Sequence, residues 1–441
     1  MEFPSCPDTI RPATSSTTIT QKLERNTVAC GIHTTPRGRA APEGFCRAKV
    51  STFPRLRHLI RGCEASMSLV NEPMNKLNES IGRAIVAEGL PRAKSRESLP
   101  GRVDWGYSRR ECHTNQAGGV VNNRRVLVTG GAGFIGSHLV DLLLADGASR
   151  VVVVDNFFLG TRENLADAQA ADGALCIIHE NAEDLPAMRE IIEREEIQDV
   201  FNLATKALEY SFDNPAGAAR VNTDIALTLG ELLRKGHYER LFHTSSSEVF
   251  GTARERPMTE DHPRNPTTPY AAGKAGADLI LQSYARTFDL DIRIVRPFNN
   301  YGPRQNTGRY AGIVPLTMER LLAGKAPILH GDGSQGRDFV FVRDVARGLL
   351  TVAACPDARG QEFNLASGIE TSVLELLETL CRVAGFDGEW IREDRRTADV
   401  DHHIGDGNRL AEVTGFRPPT SLEEGLESTW KWYASAAGGS P

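Results

Sequence analysis

The chain has 441 residues, 40% of them hydrophobic and 24% charged, and a formal net charge of −6. This is the composition of an ordinary globular protein with material for a sizeable core, and no apolar run approaches the roughly 20 residues that a membrane-spanning helix needs. Eight cysteines without C-x-x-C spacing argue against a zinc site and a disulfide framework, so no bound metal is expected.

The charge is unevenly divided. Residues 1–120 carry 18 Lys and Arg against 11 Asp and Glu, a net of +7, and hold five of the eight cysteines. Rich in Ser, Thr, Arg, Pro and Gly and poor in apolar periodicity, this stretch reads as a mostly disordered basic extension. It has no aromatic interleaving or motif for nucleic acid, so a solvated tail is the simpler reading. The start, M-E-F-P-S-C-P-D, has neither the basic head nor the apolar middle of a secretory signal. The expected location is the cytoplasm.

Residues 126–136 read V-L-V-T-G-G-A-G-F-I-G, an apolar run, a turn with Gly130, Gly133 and Gly136, and the start of an amphipathic segment. A strand, turn and helix start of this kind offers backbone N–H groups to a pyrophosphate, with Phe134 and Ile135 on the first helical turn. Glycine-rich turns also serve as plain chain reversals. The decisive feature is Asp155, which ends the apolar run 151–154 and lies 19 residues beyond Gly136, where a ribose-binding carboxylate is expected. A carboxylate there accepts from a free 2′-hydroxyl and repels a 2′-phosphate. NAD is therefore expected over NADP.

From residue 125 onward, short β-branched runs alternate with helical patterns, the signature of a doubly wound parallel α/β sheet of Rossmann type. Strands are predicted at 126–129, 151–155, 175–179, 200–203, 241–244 and 292–296. Between them Leu139, Leu142 and Leu143, and further on Ile225, Leu229, Leu232 and Leu233, recur at helical spacing and mark buried stripes. After residue 297 the alternation loosens, with shorter helices at 345–354, 373–383 and 422–432. The predicted organisation is an NAD-binding domain at 121–297, a smaller substrate-binding portion at 298–435 and a tail at 436–441.

H-T-S-S-S-E-V-F-G, residues 243–251, stands at the carboxyl end of the fifth strand and places four hydroxyls and a carboxylate where ligands bind in an open α/β sheet. Such a cluster suits hydrogen bonding to a polyol and local proton transfer, or simple turn capping. Downstream, Tyr270 and Lys274 form a Y-x-x-x-K pair on one helix face. A lysine ammonium beside the phenol is expected to lower its pKa and let it act as a base.

Together, T-G-G-A-G-F-I-G, Asp155, S-S-S-E-V-F-G, P-Y-A-A-G-K, R-P-F-N-N-Y-G-P-R and G-D-G-S-Q-G-R-D-F-V-F-V resemble the extended short-chain dehydrogenase/reductases that modify nucleotide sugars. The resemblance spans about residues 124–435. It implies Ser246 as the active-site hydroxyl, Tyr270 as the base and Lys274 as its partner. Asn156, Asn181, Ala182, Leu203 and Ala204 fall at cofactor-binding positions. Asn181 stands where the family often has an adenine-contacting Asp, and Asn202 replaces a more usual His. Asn299, Arg337, Arg396 and Asp399 match positions that hold the nucleotide sugar, whose diphosphate suits arginine. The family also implies a homodimer through helices at 216–234 and 270–288.

In such enzymes Tyr270 would take the C4 hydroxyl proton as hydride leaves, and the resulting 4-ketone opens several outcomes. Glu248, beside Ser246 and Ser247, is the informative residue, because a carboxylate there can remove the C5 proton and begin loss of water. The family's dehydratases often carry Thr-Asp-Glu here, whereas this chain has Ser-Ser-Glu. The flanking motifs look closest to UDP-amino-sugar dehydratases of the tunicamycin and legionaminic-acid type. A dehydratase acting on a UDP-hexose or UDP-N-acetylhexosamine is expected. A UDP-sugar 4-epimerase and a UDP-uronate decarboxylase are the alternatives, and a non-catalytic dinucleotide-sensing scaffold belongs to a different class.

Overall fold

Every predicted strand is present in the computed structural model, which describes residues 119–169, 173–395 and 400–438. The basic extension, but for its last two residues, lies outside the described residues, as do Arg396 and Asp399. Strands β1 (Arg125–Thr129), β2 (Arg150–Asp155), β3 (Leu175–His179), β4 (Asp199–Asn202), β5 (Arg240–Thr244) and β6 (Asp291–Pro297) are parallel neighbours in the order β3-β2-β1-β4-β5-β6. Further along come β7 (Asn299–Tyr301), β8 (Ile328–His330), β9 (Gly336–Arg337), β10 (Phe339–Phe341), β11 (Glu362–Leu365), β12 (Thr371–Ser372), β13 (Ile391–Glu393) and β14 (His402–His403). β11 pairs in parallel with β6 and makes a seventh strand of the main sheet. The stretch beyond residue 297 thus returns to the sheet, which the sequence pattern did not anticipate.

The longer helices are α1 (Phe134–Ala145), α2 (Leu185–Arg194), α3 (Pro215–Arg234), α4 (Pro269–Phe288), α5 (Ile313–Leu322), α6 (Val342–Ala354), α7 (Val373–Ala384), α8 (Asn408–Thr414) and α9 (Leu422–Ala436). A parallel sheet covered on both faces needs strands that are apolar on both sides, and β2 supplies R-V-V-V-V-D. Val151 and Val153 pack with Leu139, Leu143, Val345 and Leu349 of α1 and α6 on one face. Val152 and Val154 pack with Ile192, Ile225 and Leu229 of α2 and α3 on the other. The helical stripes read from the sequence are these core contacts; truncating one such side chain to alanine costs about 2–5 kcal/mol.

Side-chain caps fix the helix starts that aim residues at the site. Asn214 accepts from Gly217 N at 2.9 Å at the head of α3, and Thr268 accepts from Ala271 N at 3.2 Å at the head of α4, with Pro269 just inside. A third core, formed by Tyr301, Met318, Leu329, Phe341, Leu376, Leu380 and Leu426, supports the carboxyl-terminal elements. No helix among the described residues is long and apolar enough to cross a membrane.

Candidate active site

The strand order reverses between β1 and β4, and ligands of such sheets bind at the carboxyl ends beside that reversal. A cleft of about 1090 Å³ opens there, lined by Gly130 after β1, Asp155 at the end of β2, Leu203 and Ala204 after β4, and Thr244 at the end of β5. Its wall also includes Gly133, Phe134, Ile135, Gly136, Asn156, Ala182, Ser246, Ser247, Glu248, Tyr270, Lys274 and Asn299. Asn181 is not in the wall; it is exposed, and its Oδ1 accepts from the Nδ2 of Asn156, a wall residue, at 2.8 Å.

The glycine turn has a steric reason for its composition. Gly130 has φ of +68°, and a Cβ on Gly136 would stand 2.2 Å from the Gly130 carbonyl oxygen, so only bare backbone fits. Gly133 caps α1 with no side-chain hydrogen bond among the described residues, which leaves first-turn N–H groups for an anionic ligand. Asp155 Oδ2 accepts from Ala132 N at 3.0 Å and Oδ1 from Phe157 N at 2.8 Å, so two backbone donors hold the carboxylate at the cleft. Burial pushes its pKa up and these bonds oppose the shift. Glycine cradle, open helix terminus and fixed carboxylate together fit the pyrophosphate and ribose of a dinucleotide.

Beside this cradle stands the polar cluster. Ser246 caps the short helical turn Ser247–Phe250, and its Oγ accepts from Glu248 N at 3.3 Å. The same side chain faces the Tyr270 hydroxyl and favours its charged form, so Ser246 both caps the turn and lines the site. Thr205, just past β4, also lines the cleft and favours the charged form of that hydroxyl, and its own hydroxyl donates to Asn222 Oδ1 at 2.8 Å. Sequence reasoning missed Thr205; its place at a strand's carboxyl end was the available signal.

Lys274 is buried and its Nζ donates to the Thr244 carbonyl at 2.9 Å. Burial brings its pKa down to about 8. The expectation that Lys274 lowers the Tyr270 pKa is corrected: burial first, with the Glu248 carboxylate adding to it, pushes the phenol up to about 12. A carbonyl, not the phenol, holds the ammonium. One turn along α4, buried Asp278 favours the lysine's charge and pairs with Arg296 Nε at 2.8 Å. Asn202 stands in the core, where Oδ1 accepts from Thr129 Oγ1 at 2.7 Å and Nδ2 donates to His243 Nδ1 at 2.9 Å. Its amide thereby ties β1, β4 and β5 together beneath the cluster.

On the far side, Asn299 lines both this cleft and a second cavity of about 320 Å³. The buried Nδ2 of Asn299 and Oε1 of Gln305, which also lines both, have no partner among the described residues and are available to a polar ligand. Arg337 lies in the second cavity, not the cleft, with Nη1 donating to the Gly336 carbonyl at 2.9 Å.

Residues 127–429 match the protein family described as GDP-mannose 4,6 dehydratase. The chain is 38% identical over 312 residues to a UDP-glucose 4-epimerase of Mycolicibacterium smegmatis, covering 70% of this chain and 98% of that protein. It is 33% identical over 315 residues to UDP-glucuronic acid decarboxylase 6 of Arabidopsis thaliana, covering 69% of this chain and 87% of that one. Its fold is similar to a dTDP-glucose 4,6-dehydratase of Streptomyces venezuelae solved with NAD bound, with a TM-score of 0.67, 33% identity, and coverage of 71% of this chain and 98% of that one. The chain belongs to the extended short-chain dehydrogenase/reductase family of NAD-dependent nucleotide-sugar epimerases and dehydratases.

Proposed function

We propose that the protein is a dehydratase that oxidises C4 of a UDP-hexose or UDP-N-acetylhexosamine, removes the C5 proton and expels water across C5 and C6. One observation carries this reading: Glu248 lines the same cleft as Ser246 and Tyr270 and lies close enough to the phenol to raise its pKa. A carboxylate held there is a base for an acidic C–H, which simple 4-epimerisation does not require.

When bound, NAD would supply a hydride acceptor for C4 and a hydride donor for C6 once water has left. Gly130, Gly133, Gly136, Phe134 and Ile135 would hold its pyrophosphate, and Asp155 its ribose hydroxyl. Asn156, Asn181, Ala182, Leu203 and Ala204 would complete its site. Ser246 and Tyr270 orient the C4 hydroxyl, and Tyr270 takes its proton in the phenolate form, which the positive charge of a bound nicotinamide ring would favour against the effect of burial. Glu248 then takes the C5 proton and, with no neighbouring Asp in the S-S-E turn, also serves the departing C6 hydroxyl. Asn299 and Arg337, with Arg396 and Asp399 outside the described residues, would hold the nucleotide. The assembly we favour is a homodimer through α3 and α4, on which Leu227 and Leu279 are exposed.

A second reading, UDP-sugar 4-epimerase, is favoured by the 38% identity to the mycobacterial enzyme of that name. Incubation with NAD and a panel of UDP- and dTDP-sugars, followed by product mass, separates them. Loss of one water supports dehydration, an unchanged mass with altered ring couplings indicates epimerisation, and loss of carbon dioxide indicates decarboxylation.

A further inference from the structure

We infer that His403 is a positioning residue for Glu248: it accepts a hydrogen bond from the carboxylic acid that forms once Glu248 has taken the C5 proton. This rests on the reading of Glu248 as that base. His403 sits on β14, fully buried, with its ring against Phe298 at a centroid distance of 5.3 Å. Its Nε2 lies 3.1 Å from the Ser247 carbonyl oxygen. A carbonyl only accepts, so Nε2 carries the hydrogen.

The other nitrogen is then the informative one. Burial lowers the His403 pKa, which keeps the ring neutral and leaves Nδ1 as a bare lone pair. That atom is buried, has no hydrogen-bond partner among the described residues, and lies 3.9 Å from Glu248 Oε1. A lone pair and a carboxylate oxygen have no proton between them. Once Glu248 is a carboxylic acid, its O–H has an acceptor waiting, and the contact tightens into a hydrogen bond, as catalytic contacts that are long in a ligand-free site do once substrate is bound.

The balance is simple. The C5–H bond breaks, its electron pair passes into the enolate of the 4-ketone, and the proton resides on Glu248 while hydrogen-bonded to Nδ1. At this step no proton leaves the pair; the acid afterwards exchanges its proton with solvent or gives it to the departing C6 hydroxyl. The bond from Nε2 to Ser247 anchors the ring to the turn that carries Glu248, so base and acceptor move together.

The test uses the full chain with NAD and a UDP-sugar that it turns over, in deuterated water. His403→Gln keeps a donor near the Ser247 carbonyl and removes the Nδ1 acceptor. The expected result is a loss of C5 deuterium exchange on the order of tenfold to a hundredfold, while C4 oxidation, read by reduced-nicotinamide absorbance, is unchanged. Unchanged exchange, or an equal loss in both readouts, overturns the inference. Nitrogen NMR of the wild-type imidazole provides a second check that no variant's folding affects: Nε2 protonated with Nδ1 bare supports it, and a protonated Nδ1 overturns it. Wild-type protein that oxidises C4 without any C5 exchange brings down the reading of Glu248 as well, which separates that failure from the failure of His403 alone.

Discussion

The Ser246 side chain faces the Tyr270 hydroxyl closely enough to favour its charged form, Ser246 as the cap of the turn after β5 and Tyr270 on the first turn of α4. Two elements that meet only through the fold are joined at the atom proposed to move a proton. Tyr270→Phe removes that atom and keeps the ring. The expected outcome is a fall in turnover of about 10²–10⁴-fold with NAD affinity within a factor of about two, measured by steady-state kinetics and titration calorimetry. Unchanged turnover removes the proposed base.

Lys274 gives a stability signature. The unfolded chain holds this proton up to the ordinary value of 10.5, whereas the folded chain loses it near pH 8. Between those values the unfolded state binds more protons, so this residue makes stability rise with pH. Below that window the burial penalty on the charged form is fully present. Thermal unfolding of wild type and Lys274→Met at about pH 8 and about pH 10 should show wild type gaining on the variant as pH rises. A constant difference between the two contradicts the burial of a charged lysine.

At the cradle, Gly136→Ala sets a methyl group 2.2 Å from the Gly130 carbonyl oxygen, a backbone atom that cannot rotate away. The turn must open, at about 1–3 kcal/mol in stability, and the pyrophosphate site opens with it. Calorimetry should find NAD binding reduced more than tenfold, about 1.4 kcal/mol or more. An alanine variant that binds NAD normally contradicts this placement of the pyrophosphate.

Cofactor choice depends on the charge of Asp155. Asp155→Asn keeps an oxygen able to accept one of the two backbone bonds from Ala132 and Phe157 while removing the repulsion of a 2′-phosphate. The ratio of NAD to NADP affinity should fall on the order of tenfold, measured by competitive titration. A ratio that does not move places the ribose elsewhere.

Much of this was legible in the sequence, for identifiable reasons. Strands such as β1 and β2 are short apolar runs, R-V-L-V-T and R-V-V-V-V-D, the pattern imposed by a parallel sheet covered on both faces. Gly130 follows β1 directly, Asp155 ends β2, and Tyr270 stands four residues before Lys274, so local spacing points to all three. β11 was hidden because E-F-N-L is short and its partner β6 is remote in sequence. Its Asn364 is buried because the amide Nδ2 donates to the Met258 carbonyl at 3.0 Å and the backbone N donates to Glu260 Oε1 at 2.8 Å. Asn299 was read as a ligand contact, but its reach into two cavities was not. His403 meets the Ser247 carbonyl from 156 residues away, so no local pattern announces it. The charge state of Tyr270 was misjudged for a related reason. Spacing shows that Lys274 shares its helix face, yet the fold turns the ammonium onto the Thr244 carbonyl and leaves burial to dominate the phenol.

The division of labour between Tyr270 and Glu248 is tested most directly by solvent deuterium at C5 of the product, read by NMR for wild type and Glu248→Gln with NAD and a UDP-hexose or UDP-N-acetylhexosamine. The account predicts a wild-type product lighter by one water and carrying one solvent deuteron at C5, with incorporation slowed about 10²–10⁴-fold in the variant. A product formed at full rate with its original C5 hydrogen in place would contradict it.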